Sequence, residues 1–166
     1  MERERPQKIV YDPGMIKEWL IEYRERWRDI ETQDEMLHRL DEAMVSTSAK
    51  EMTGMPHSGN PSSDKMALML DQKDRILNRL DTLKELHNKQ REIIEMTIRQ
   101  IRSSDERSVI SLRYLSYPLL SWNDVCKSMF DSKEDYEDRF ESYLRRTTKA
   151  HGRAVKKMAT ILNSEK

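Results

Sequence analysis

One-signed charge is concentrated near the end of the chain. Residues 143–164 hold six bases, Arg145, Arg146, Lys149, Arg153, Lys156 and Lys157, and no acid. On a helical wheel, Arg145, Arg146, Lys149, Gly152, Arg153 and Lys156 share an arc of about 140°. Leu144, Thr147, His151, Ala154, Val155, Met158, Ile161 and Leu162 fall on the opposite side, within about 120°. One face can therefore join a core while the other presents guanidinium and ammonium groups. Such a helix suits the major groove of double-stranded DNA, where Arg can grip guanine with two hydrogen bonds and Lys can meet phosphates.

A basic stripe is often only a solvated face. Two features argue for more. Elsewhere in the chain, bases are interleaved with acids; here they are not. Gly152 lies on the basic face, although Ala there would favour the helix by roughly 1 kcal/mol. A missing side chain at that point lets the helix backbone approach another surface closely.

Other reactive residue types offer less. Cys126 is the only cysteine, which rules out an internal disulfide and zinc sites built on cysteine pairs. His38, His57, His87 and His151 include no pair at metal-ligand spacing. The sequence contains no phosphate loop and no nucleophile elbow. The expectation is a protein that is not an enzyme, with no metal and no cofactor. His151 and Cys126 read as packing residues, and Trp122 as a core residue rather than a base-stacking one.

The elements that must hold the basic helix can be read upstream. Hydrophobic and charged residues each make up 36% of the 166 residues, which suits thin amphipathic helices better than one thick core. Only four Gly and five Pro punctuate the chain, so an all-α fold is expected. Ile16, Tyr23, Ile30, Leu37 and Met44 recur every seven residues, flanked by Trp19, Leu20, Trp27 and Leu40. With Asp12-Pro13 as a start signal, they predict a long helix over 12–45. Gly54, Pro56, Gly59 and Pro61 mark a linker over 46–63, where Met52 and Met55 can pack locally. A second long helix follows over about 63–102. Its stripe contains Met69, Ile76, Leu83, Leu80, Ile94 and Ile101, widened by Leu77, Leu86 and Ile93. His87 and Gln90 sit on that seam as register or packing residues. The two helices can form a hairpin within one chain or pair between subunits.

Shorter elements come next. Ser104 is expected to cap a helix over 105–115 carrying Val109, Ile110, Leu112 and Leu115, with Ser116-Tyr117-Pro118 ending it. Ser121 should cap a helix over 122–130, with Trp122, Val125, Cys126 and Met129 on one face. Residues 131–142 hold six acids and two bases. They form either a separate turn or an acidic start to the last helix, read as 142–162. The division expected is a long-helix oligomerisation or interaction region over 1–102 and a DNA-binding domain over 103–166.

The run Asp105-Glu106-Arg107-Ser108-Val109-Ile110-Ser111-Leu112-Arg113-Tyr114-Leu115, then Ser121-Trp122-Asn123-Asp124-Val125, then Arg153-Ala154-Val155-Lys156-Lys157-Met158, resembles the helix-turn-helix of sigma-factor region 4. With Tyr143-Leu144-Arg145-Arg146 and His151-Gly152-Arg153-Ala154, it is also similar to phage late-transcription regulators of the ArpU and RinA type. The resemblance covers about 104–162; over the N-terminal half it is one of layout only. It departs from the pattern at 131–142, where the family's turn is short. It implies sequence-specific binding of double-stranded DNA by a bacteriophage-type transcription regulator acting in the cytoplasm of a bacterial host, at its nucleoid. DNA contacts would come from Arg145, Arg146, Thr148, Lys149, Gly152, Arg153 and Lys156. The partners implied are a homo-oligomer and bacterial RNA polymerase. The start of the chain lacks the apolar run of a signal peptide, and no stretch approaches the roughly 20 apolar residues of a membrane span, so no membrane association is expected. Two other roles suit the same layout: a phage DNA-packaging protein similar to a small terminase subunit, and a structural coiled-coil adaptor.

Overall fold

A computed structural model describes residues 10–51 and 61–164. The fold is all-α: α1 is Pro13–Glu51, α2 Pro61–Arg99, α3 Ser104–Ile110, α4 Trp122–Phe130 and α5 Phe140–Ser164. Ser111–Leu115 continues α3 as a π-helical turn. No helix among the described residues is long and apolar enough to cross a membrane.

The helix starts follow capping chemistry. Asp12 accepts hydrogen bonds from the backbone N–H groups of Gly14 (2.6 Å) and Met15 (3.0 Å), and Pro13 takes the first helical position. α1 then runs past the expected end at Val45. Residues 46–51 contain neither Gly nor Pro, so nothing local stops the helix. α2 likewise begins at Pro61 rather than at 63 or 64. Its end comes at Arg99 rather than 102, where the N–H groups of Gln100 and Ile101 turn back to the carbonyls of Thr97 and Ile98. The middle of the expected linker, with Met52, Gly54, Met55, Pro56, His57 and Gly59, lies outside the described residues.

The chain divides into two compact units. One unit is Glu25–Lys89; the other joins the chain up to Arg24 with everything from Gln90 onward. In Glu25–Lys89 the two long helices pair with each other. Ile30, Leu40, Ile76 and Leu80 are buried together, with Leu37, Met44, Met69 and Leu83 packed around them. Lys84 pairs with Asp34 (3.2 Å) and Lys73 with Asp41 (2.7 Å), an order that makes the helices antiparallel. The His87 ring lies 5.0 Å from that of Trp27, a packing role as expected.

The other unit has a larger core. Ile16, Leu20 and Tyr23 of α1 and Ile94 and Ile98 of α2 bury themselves with Ile101. The same cluster takes in Val109, Ile110 and Tyr114, then Val125, then Ala150, Ala154, Val155, Met158 and Ala159. The Gln90 side-chain amide donates to the Trp19 carbonyl (2.8 Å), fixing the register of α1 on α2. Tyr11 and Asn163 exchange two hydrogen bonds: the Tyr11 N–H donates to Asn163 Oδ1 (2.9 Å), and Asn163 Nδ2 donates to the Tyr11 carbonyl (2.8 Å). The start of α1 and the end of α2 are thus walls of the C-terminal module.

Two outcomes follow. Leu20→Ala removes a fully buried side chain far in sequence from α5 and should lower the stability of this unit by about 2–5 kcal/mol in denaturant titration. A fragment of residues 103–166 loses the walls supplied by Ile16, Leu20, Tyr23, Ile94, Ile98 and Ile101. It should show no cooperative thermal transition by circular dichroism, whereas the whole chain should.

Candidate nucleic-acid interface

The basic face is one side of α5, whose other side packs on α3 and α4. Ser103, rather than Ser104, is the N-cap of α3, and its side chain makes no cap hydrogen bond. The expected single α-helix over 105–115 changes pitch at Ser111: the Ser116 N–H bonds to the Ser111 carbonyl (3.0 Å), five residues back. That wider turn leaves Val109, Ile110 and Tyr114 all buried. Ser121 caps α4 as expected, in a reciprocal box. Its Oγ accepts from the Asp124 N–H (3.2 Å), and its own N–H donates to Asp124 Oδ2 (3.1 Å). The Arg24 and Arg113 guanidiniums both donate to the Leu120 carbonyl, which pins the link leading into α4.

Residues 131–139 form successive turns and α5 begins at Phe140. The acidic segment is therefore a separate turn region, with one acidic residue, Glu141, in the first turn of α5. It is held by aromatic packing. The Phe130 and Tyr143 rings stack at 4.9 Å, and the Tyr143 hydroxyl donates to Asp135 Oδ1 (2.7 Å).

α5 buries Thr147, Ala150, His151, Ala154, Val155, Met158 and Ala159. Leu144, Ile161 and Leu162, also expected on that face, are half-buried. Ala150 and Ala159 are core positions that the sequence reading passed over, because small residues leave a weak mark in an apolar pattern. His151 hydrogen-bonds Tyr114 Oη through Nε2 (2.9 Å), and the Trp122 ring meets it edge-on at 5.0 Å. Burial, reinforced by the charges of Lys17 and Arg113, lowers the His151 pKa to about 4. Burial also raises the Tyr114 phenol, so a protonated hydroxyl faces a neutral imidazole across this hydrogen bond. Trp122 is half-buried beneath the Arg113 guanidinium, 4.7 Å from the ring centre, which agrees with a packing role.

All seven residues assigned to DNA contact, Arg145, Arg146, Thr148, Lys149, Gly152, Arg153 and Lys156, are exposed on α5. The expectation that no carboxylate opposes the basic face needs correction. Arg146 pairs with Asp105 (2.8 Å) and lies over the Phe130 ring. Arg153 (3.1 Å) and Lys157 (2.5 Å) both pair with Glu106, whose side chain is only 4% exposed. The acids come from α3, about 40 to 50 residues back, where a local charge count does not look. Among the described residues no acid pairs with Arg145, Lys149 or Lys156. With Gly152, these form the open strip of the helix. A Cβ built on Gly152 meets nothing within 4 Å. Packing within the chain therefore does not require the glycine.

No protein-family model matches the chain, and no curated protein or solved structure matches it either.

The His151 environment sets a pH dependence. Its pKa falls from about 6.5 in the unfolded chain to about 4 in the fold. Protonation thus favours unfolding. Stability is full above pH 6.5 and declines by up to about 3 kcal/mol as pH falls to 4. His151→Leu should remove that part of the acid sensitivity in paired urea titrations; an unchanged pH slope would mean His151 does not titrate as described. Gly152→Ala should raise stability by roughly 0.5–1 kcal/mol, and Gly152→Leu should still fold, because the position opens to solvent.

Proposed function

We propose that this chain binds double-stranded DNA through the exposed face of α5 and acts as a transcription regulator at a promoter or operator. The observation that carries the reading is the open strip of Arg145, Lys149, Gly152 and Lys156. Its three cations have no acidic partner among the described residues and run about 16 Å along the helix. A structural helix gains nothing from leaving like charges unpaired on one strip, whereas phosphates would neutralise them and release counterions. The glycine on the strip allows close backbone approach. The buried face of α5, fixed on α3, α4 and the ends of the long helices, supplies the rigid mount that groove binding needs. The sigma-region-4 and ArpU/RinA resemblance adds the regulatory role, a phage origin, action in the cytoplasm of a bacterial host and RNA polymerase as a partner.

The test is fluorescence anisotropy with labelled duplex over a range of salt concentrations. Replacing Arg145, Lys149 and Lys156 together with Gln should weaken binding and flatten the dependence of log affinity on log salt by up to about 0.9 per lost phosphate contact. Gly152→Leu should fold normally and bind more weakly, as the added side chain holds the backbone away. Parental affinity in the triple variant at every salt would move the interface elsewhere.

A homo-oligomer belongs to the same proposal. Leu68, Leu70 and Leu77 of α2 remain exposed in the Glu25–Lys89 unit, together with Val45 of α1. Sedimentation at micromolar concentration should find a dimer or tetramer. Large rings would instead favour a packaging role, and a strict monomer would end the oligomer reading.

A further inference from the structure

We infer that Arg153 is the base-reading residue of the α5 face and that Glu106 is the residue that positions it. The inference rests on the DNA-binding reading above and sorts its cations into two kinds.

Arg153 donates through Nε, to Glu106 Oε1 at 3.1 Å. A guanidinium carries five N–H donors in a fixed plane. Engagement at Nε leaves the outer edge, Nη1 and Nη2, pointing away from the acid. That edge is the fork that matches guanine O6 and N7 in the major groove. The Arg153 side chain is 54% exposed, and among the described residues its one hydrogen bond is made at Nε, not at Nη1 or Nη2. Arg146 is held the opposite way. It donates through Nη2 to Asp105 Oδ2 (2.8 Å), which occupies the fork itself. Arg145, Lys149 and Lys156 have no such tether among the described residues. They suit phosphates, which need charge rather than a fixed orientation.

Glu106 has the properties of a positioning group. Its side chain is buried, its two oxygens are divided between Arg153 and Lys157 (Oε2 to Nζ, 2.5 Å), and it stands on α3 rather than on α5. A carboxylate fixed in this way removes rotamer freedom from Arg153 before DNA arrives, so less is lost on binding. Reading a base also needs an orientation held to within about half an ångström, which a free surface arginine lacks.

The experiment enriches a pool of short randomised duplexes on the whole chain and then compares variants on the duplexes selected. The parent should enrich a common G·C pair, and exchanging that pair for A·T should lower its affinity roughly 5- to 150-fold. Arg153→Lys keeps the charge but not the fork; it should erase most of that ratio. Arg145→Gln should weaken binding to both duplexes and keep the ratio. Glu106→Gln, if it melts cooperatively, should lower the ratio at the same pair rather than weaken all duplexes alike. If it does not fold, Arg153→Lys decides. An Arg153→Lys chain that keeps the parental ratio at every selected pair overturns the inference. So does a parent that binds duplex but enriches no sequence, with DNA binding itself left standing. A parent that binds no duplex at low salt defeats the DNA-binding reading as well.

Discussion

Glu106 sits almost out of contact with solvent between α3 and α5, with Arg153 on one oxygen and Lys157 on the other. A carboxylate taken out of water is unfavourable by several kcal/mol unless its lone pairs are met. Here they are met by the helix that carries the basic face. The geometry of α3 against α5 and the charge pattern of α5 are therefore one problem. Any shift of α5 that strands Glu106 exposes an unpaired buried charge, so the pair restricts the ways in which α5 can slide along α3. The apolar side supports the same register. Ala150 and Ala154 are fully buried small residues that allow close contact, and Met158 fills the space beyond them.

The module reaches well outside the C-terminal third of the sequence. Ile16, Leu20 and Tyr23 precede the core they complete by about a hundred residues. Such a core is made only when the start of α1 meets the C-terminal helices, and the paired hydrogen bonds between Tyr11 and Asn163 are the far point of that closure. Those non-local contacts carry a larger loop-closure entropy than a local three-helix module would. In return, α5 gains a second wall that α3 and α4 alone do not provide.

Much of the layout was legible in the sequence, for identifiable reasons. The seven-residue spacing from Ile16 to Met44 gives the first long helix and that from Met69 to Leu83 the second, because a 3.6-residue period repeats a face regardless of what covers it. The same blindness to partners hides the packing of the start of α1 against the C-terminal helices: a stripe says that a face is buried, not against what. Ser121 announced itself as a cap by type, though its reciprocal partner Asp124 did not, and the cap of α3 shifted by one because Ser103 and Ser104 are equally good candidates by type. The basic face of α5 was legible from its own residues. Its division into tethered and open cations was not, since Asp105 and Glu106 read locally as acids favourably placed at the start of a short helix. Only the packing of α3 on α5 gives them their partners.

The zero net charge of the chain takes on a physical meaning once the acids are located. Long-range attraction of the whole molecule to a polyanion is weak, and fields are screened over about 8 Å at physiological ionic strength. What counts is the charge within that distance of the docking strip. Along α5, Glu141 precedes Arg145 by about 6 Å, Lys149 by about 12 Å and Lys156 by about 22 Å. The acidic turns at 131–139 come earlier still in the chain, tied down by Tyr143 and Arg139. Negative charge thus reaches the Arg145 end of the strip, whereas Lys149 and Lys156 stand beyond the screening distance from Glu141. On the DNA-binding reading proposed above, the acidic insertion, a departure from the short turn of the helix-turn-helix it resembles, would make the two ends of the strip unequal toward phosphates, a polarity that the cations of α5 alone do not supply.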